Sequence, residues 1–444
     1  MDTIRGRIIL GLLSTFPIFA YVSVQYLHAD ANHLSGLIIY ALLFELIFTK
    51  FRLDENLRIP KYLTLLAFFT LYLFIVKIFV SDIVANEGLF KYLYHDNFLR
   101  ATAALLIIEN TRFDKQAINY SLKFLFWVLI AAAIVSVIQI NDPLFFRNGG
   151  WLDSGFGSFE AYEQYLKSLG PYYYDDVTPI HEGYRYSIYS WVSGVSVGMD
   201  ALAIFSILLA MKSLPRIKRY LLILASGLVS ILSSSRWIML NFIAIFSQRF
   251  IGRKSSFIYA FKLVAALVTF GLLITISASV LGIDLNKFFQ ERLLSDSANT
   301  RFYAFEVFGK VFPDNPIFGT GGADTEKMLA LIQGKTSQIH VGWLKLLYYY
   351  GLVGGIMYVI FLISLLQHLY RRAVESSYWG SFFALLAFTI ANFTLVELSI
   401  FYHGLLLAVL YSRYLSNVEE IAPSEISGSK SRPVVYQKEL AFGE

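Results

Sequence analysis

The sequence predicts an all-α polytopic membrane protein that crosses the bilayer about twelve times, with two large loops on the far side. Three observations predict it. Apolar stretches near the roughly 20 residues that a spanning helix needs recur along the whole chain. Charged residues make up only 16% of the 444 and hydrophobic residues 56%, with a mean hydropathy of +0.57. A soluble domain carries about 25% charged residues, and one core could not bury this much apolar surface. Basic residues, finally, follow every second apolar stretch.

The expected spans are 7–27, 34–51, 62–80, 89–108, 122–140, 188–211, 220–233, 237–251, 257–281, 343–367, 378–395 and 399–415. The first has no small-residue cleavage site and the second follows at once, so it reads as a retained helix rather than a signal peptide. The fourth is interrupted by Lys91, His95, Asp96 and Arg100, and the seventh and eighth are short enough to tilt or form a hairpin.

Lys50, Arg52, Arg58 and Lys61 follow the second span, and Arg112 and Lys115 the fourth. Lys212, Arg216, Lys218 and Arg219 follow the sixth, Arg249, Arg253 and Lys254 the eighth, Arg371 and Arg372 the tenth. The positive-inside rule puts these loops and both termini in the cytoplasm, and the connections 141–187 and 282–341 outside. Residues 1–416 then form a single transmembrane domain. The polar tail 417–444 cannot bury a core and is expected to be disordered. No internal repeat of the kind many transporters carry is visible. The chain has no cysteine, which excludes disulfides, thiolate metal sites and cysteine nucleophiles.

The first outer loop carries Trp151, Asp153, Glu160, Tyr162, Glu163 and Tyr165, then Tyr172, Tyr173, Tyr174, Asp175 and Asp176. Aromatic faces interleaved with carboxylates and hydroxyls suit a sugar site. They equally suit an aromatic belt with solvated acids. The loop ends in Gly183-Tyr184-Arg185-Tyr186-Ser187.

Three outer arginines run against the charge bias. Arg185 precedes the sixth span, Arg236 follows Ser233-Ser234-Ser235 between the seventh and eighth, and Arg301 follows Ser297-Ala298-Asn299-Thr300 in the second loop. A guanidinium is always charged and presents a planar fork to phosphate oxygens, so three at headgroup depth fit a lipid phosphate or diphosphate. The alternative is that each snorkels to headgroups or pairs locally, as Arg301 with Glu306.

Further on, Pro316-Ile317-Phe318-Gly319-Thr320-Gly321-Gly322 is a glycine-rich turn that either cradles an anion on backbone N–H groups or only reverses the chain. His340 stands just before a span holding Gly351, Gly354 and Gly355; it is a hydrogen-bonded structural residue or a base, and the glycines allow close helix packing.

In order, spacing and sidedness these pieces resemble the bacterial O-antigen polymerase (Wzy-type) and O-antigen ligase (WaaL-type) superfamily. Ser233-Ser234-Ser235-Arg236 is similar to its Ser-Arg turn between two membrane helices. Arg301 with Asn315-Pro316-Ile317-Phe318-Gly319-Thr320-Gly321 is similar to its arginine and Pro-x-x-Gly-x-Gly segment. His340 with Gly351-Leu352-Val353-Gly354 is similar to its histidine-to-Gly-x-x-Gly motif, and the stretch 183–198 to its arginine-led helix start. The chain departs from the pattern at Val341, where the family usually has a polar residue.

The resemblance implies a GT-C-like glycosyltransferase in the bacterial inner membrane, with its active site facing the periplasm. Its donor would be a glycan on undecaprenyl diphosphate, and its acceptor a second lipid-linked repeat unit (polymerase) or lipid A-core (ligase). It implies no cofactor, no metal and no nucleic acid, and admits a chain-length regulator as protein partner. Arg185, Arg236 and Arg301 would stabilise the leaving diphosphate and His340 would take the acceptor proton, with Tyr184, Tyr173, Asp175, Gly319 and Gly321 as further substrate contacts. The two large outer loops favour the polymerase. A transporter of lipid-linked oligosaccharides is the reading from another class, resting on the intramembrane charges Glu45, Lys77, Asp200 and Lys262.

Overall fold

The computed structural model describes residues 2–27, 31–81, 88–89, 93, 96–141, 196–211, 214–232, 236–248, 299–332, 339–393 and 399–421. Every regular element among them is a helix: α1 (Asp2–Leu27), α2 (Ala31–Arg52), α3 (Lys61–Phe79), α4 (Asn97–Glu109), α5 (Lys115–Asn141), α6 (Ser196–Ala210), α7 (Arg216–Leu232), α8 (Arg236–Ser247), α9 (Asn299–Val311), α10 (Glu326–Ile332), α11 (Gly342–Ser376), α12 (Gly380–Ala391) and α13 (His403–Ile421). Among the described residues, four helical stretches are long and apolar enough to cross a membrane by length and composition: His33–Arg52, Lys61–Phe79, Lys115–Ile138 and Gly342–Ser376. Large apolar side chains such as Phe51 (86% exposed), Phe44 (73%) and Trp127 (63%) face outward, as in lipid rather than water.

Two helix starts follow local capping chemistry rather than hydropathy. Asp96 Oδ1 accepts from Leu99 N at 2.8 Å, so α4 begins at Asn97 and not at the expected 89. Asp114 Oδ1 accepts from Gln116 N at 3.1 Å, which starts α5 seven residues before the expected span. Pro60 and Pro215 precede α3 and α7. At the other extreme α13 runs to Ile421, so the first residues of the expected disordered tail are helical. The expected ninth span, and residues 188–195 of the sixth, lie outside the described residues.

One continuous apolar core joins α1–α8 and α11–α13. Within it α3 lies along α11, α6 along α12 and α13, and α5 along α7. Polar contacts gather at the two ends of the bundle. At one end the loops after α2 and α4 grip each other: Arg58 N donates to Asn110 Oδ1 at 2.7 Å, and Asn110 Nδ2 to Arg58 O at 2.9 Å. Beside them Glu109, fully buried, accepts from Tyr62 Oη (2.9 Å) and from both terminal nitrogens of Arg372 (3.2 and 3.1 Å), with Arg413 Nε 3.7 Å away. At the other end Lys77 of α3 pairs with Asp96 at 3.0 Å.

Candidate functional site

The segment 282–341, expected as the second outer loop, holds two helices, α9 and α10, among its described residues. Its glycine-rich turn does not stand alone. It is built into a break in α11. Gly351 sits in the middle of that 35-residue helix with φ +63° and ψ −171°, a conformation that a Cβ resists. The break takes backbone groups out of the helical ladder, and in a membrane protein each must find another partner.

The segment 316–321 supplies nearly all of them. Leu352 N donates to Pro316 O at 2.8 Å and Val353 N to Ile317 O at 3.2 Å. In return Thr320 N donates to Tyr348 O at 3.0 Å and Gly321 N to Tyr349 O at 2.8 Å. The remaining carbonyl, Tyr350 O, accepts from Tyr72 Oη of α3 at 2.7 Å. Loop and helix thus form one backbone clasp.

The clasp requires glycine on both faces. A Cβ on Gly319 would lie 2.5 Å from the Tyr349 carbonyl, and one on Gly351 would run into the Ile317 carbonyl. Gly354 does pack closely, as the sequence leads one to expect: a Cβ there would lie 2.8 Å from the Tyr72 ring. The N–H groups of Gly319, Thr320 and Gly321 all donate within the protein, to Asn315 O, Tyr348 O and Tyr349 O. Of the two readings of this turn, the geometry favours chain reversal over an anion cradle.

Side chains tether the rest of the loop to the same helix. Tyr348 Oη accepts from Thr325 N at 2.9 Å, Tyr349 Oη donates to Asp324 Oδ1 at 3.0 Å, and Ser81 Oγ, at the end of α3, donates to Gly321 O at 3.1 Å. Lys327 pairs with Asp314 at 2.8 Å across the turn. The run Tyr348-Tyr349-Tyr350 before Gly351 was the visible signal for this anchoring; Tyr72 and Ser81, far away in sequence, gave none.

Above the clasp a second, small core joins α9, α10 and the first turns of α11 through Ala304, Val307, Val311, Met328, Ile332, Ile339, Val341 and Tyr348. Val341, only 4% exposed, belongs to it. An apolar residue at this position therefore has a packing partner. His340 is half-buried between two core members, Ile339 and Val341. Arg301, half-buried, stands one turn before Ala304 on the packed stripe of α9. The helix carrying Arg301 and the segment carrying His340 thus meet on one core. Glu306 pairs with Lys310 on the next turn, at 2.6 Å, and that contact holds the Lys310 ammonium above its ordinary pKa.

Arg236 is the first residue of α8, which packs on α6, α7 and α12. Arg185, Tyr184, Tyr173 and Asp175 lie outside the described residues, so the joint position of the three arginines does too. Of the intramembrane charges, Glu45 is held by Arg5 (3.0 Å), Lys77 by Asp96, and Asp200 accepts from Gly404 N at 2.6 Å. These contacts stitch α1 to α2, α3 to the start of α4, and α6 to α13; Lys262 lies outside the described residues.

Residues 220–359 match the family model of O-antigen ligases. The match is consistent with the O-antigen polymerase and ligase superfamily, and it spans all of the motif stretches from Ser233 to Gly354, including both halves of the clasp. No curated protein matches the chain. Together with the long apolar helices, the match supports a multi-pass membrane protein with a function broadly of the O-antigen polymerase or ligase type; members of that family are glycosyltransferase-like enzymes.

Proposed function

We propose that the protein polymerises undecaprenyl-diphosphate-linked oligosaccharide repeat units at the periplasmic face of the inner membrane. The family match over 220–359 carries the reading. The meeting of the Arg301 helix and the His340 segment on one core supports it, because it gives a cation and a base a common, rigid mount.

In this reading the acceptor hydroxyl attacks the anomeric carbon of the donor, and the bond from that carbon to the diphosphate oxygen breaks. The diphosphate gains charge as it leaves. Fixed guanidinium groups of Arg185, Arg236 and Arg301 stabilise that charge more in the transition state than before it. His340 takes the acceptor proton; imidazole is the side chain whose ordinary pKa, about 6.5, suits a base at neutral pH. Tyr184, Tyr173 and Asp175 bind sugar. Gly319 and Gly321 act at one remove, by holding the loop on α11.

The description of the matching family favours a second reading, the ligase, in which the acceptor is lipid A-core. A deletion strain separates the two. A polymerase leaves surface glycan with a single repeat and no ladder. A ligase leaves a bare core and accumulated lipid-linked polymer. An unchanged glycan profile would sink both. Complementation with Arg301→Lys should restore the phenotype poorly, since a point charge cannot reproduce a bidentate fork.

A further inference from the structure

A groove of about 470 Å³ runs between α1 and α5, lined by Leu10, Gly11 and Thr15 on one side and Ala117, Tyr120 and Phe124 on the other. It lies apart from the clasp, at the bundle end where the loops after α2 and α4 meet. We propose that it binds one chain of an anionic phospholipid, with the headgroup phosphate at Arg7.

The interior of the groove asks for an apolar occupant. Its hydroxyls are already bonded to the protein: Ser14 and Ser121 share a hydrogen bond of 2.5 Å, Tyr411 Oη donates to Ser121 Oγ at 2.8 Å, and Thr15 Oγ1 donates to Gly11 O at 2.8 Å. A methylene chain over them breaks none of these hydrogen bonds. Gly11 keeps the space open, for a Cβ there meets nothing within 4 Å. The flanking surfaces are lipid-facing, with Ile8, Ile18 and Trp127 exposed on either side. An acyl chain therefore enters from the bilayer without crossing polar ground.

The mouth asks for an anion. Arg7 pairs with Asp114 at 2.9 Å through one terminal nitrogen, and 61% of its side chain stays exposed. Arg112 and Lys115, exposed on either side of Asp114, make the same edge basic. Anionic headgroups collect at such basic membrane edges. A guanidinium with free donors adds directional bonds to phosphate oxygens.

Native mass spectrometry of the full-length protein, titrated with phosphatidylglycerol or phosphatidylethanolamine, tests the proposal. Wild type should hold a phosphatidylglycerol adduct in preference to phosphatidylethanolamine. Gly11→Phe, which fills the groove, should weaken that adduct at least about tenfold, the scale of 1.4 kcal/mol. Arg7→Gln, at the exposed rim where folding is not at stake, should keep lipid binding but remove the preference for the anionic headgroup. Three outcomes overturn it: equal adducts for both lipids on wild type, an adduct unchanged by Gly11→Phe and Arg7→Gln, or loss of a dimer rather than of a lipid in Gly11→Phe, which would make a second copy the occupant.

Discussion

Gly351 carries more of the candidate site than any charged residue does. Its positive φ breaks α11, and the break offers the donors and acceptors that hold the loop 316–321. A Gly351→Ala variant meets two costs. The combination of positive φ and extended ψ is essentially glycine's own and costs a Cβ roughly 1–3 kcal/mol. The Cβ also strikes the Ile317 carbonyl, so the clasp must open and leave backbone groups unpaired at about 1–3 kcal/mol each. We expect a clear drop in melting temperature in detergent together with loss of glycan elongation. Gly11→Ala is the control, because its Cβ enters open space and removes helix-interior glycine, a gain of roughly 0.5–1 kcal/mol. If both variants melt alike, the clasp contributes nothing to stability. The motif glycines were visible in the sequence, yet their pairing was not. Gly319 meets Tyr349, thirty positions later, and no periodicity connects residues across such a gap.

Among elements, those set by apolar runs were legible and those set by partners were not. The spans around α2, α3 and α11 stand within a few residues of their expected places at their N-terminal ends, because long apolar stretches fix them. The starts of α4 and α5 shifted to the capping acids Asp96 and Asp114, whose role depends on one hydrogen bond each. Helices α9 and α10 escaped notice inside a loop because their buried stripes are short: Ala304, Val307 and Val311 of α9 stand among exposed aromatics such as Phe302 and Phe305, and α10 buries only Met328 and Ile332. At the opposite end of the bundle, Glu109 ties α4 to α3, α11 and α13 by accepting from Tyr62 and Arg372 beside Arg413. One carboxylate there faces two buried arginines, with His368 Nε2 3.8 Å away. Removing one partner of such a pair costs about 3–5 kcal/mol, because the other charge stays buried. The order of two variants follows. Arg372→Leu leaves Glu109 with Arg413, whereas Glu109→Gln deprives both arginines of their anion. Thermal unfolding should therefore rank Glu109→Gln as the more damaging, and the reverse order would show that the carboxylate is not the hub.

For the whole molecule, the alternation of basic loops requires that connections on one side touch only one another. The described contacts agree with this. The loop after α2 meets the loop after α4 through Arg58 and Asn110, and Arg7 near the N-terminus meets Asp114 in that same loop. The loop after α3 instead meets the expected second outer loop, where Ser81 holds Gly321. Contacts order the ends but do not say which end faces the cytoplasm; the charge bias does. The chain contains no cysteine, so a single introduced thiol has no background. Cysteine at Tyr173 or Gly334 should react with an impermeant maleimide in intact spheroplasts, and cysteine at Leu53, an exposed position in the basic loop, only after lysis. Labelling of Leu53 alone in intact cells would invert the molecule. The clasp, Arg301 and His340 would then face the cytoplasm, and transfer between lipid-linked glycans at the periplasmic face would have no site in this chain, whatever the activity of its variants.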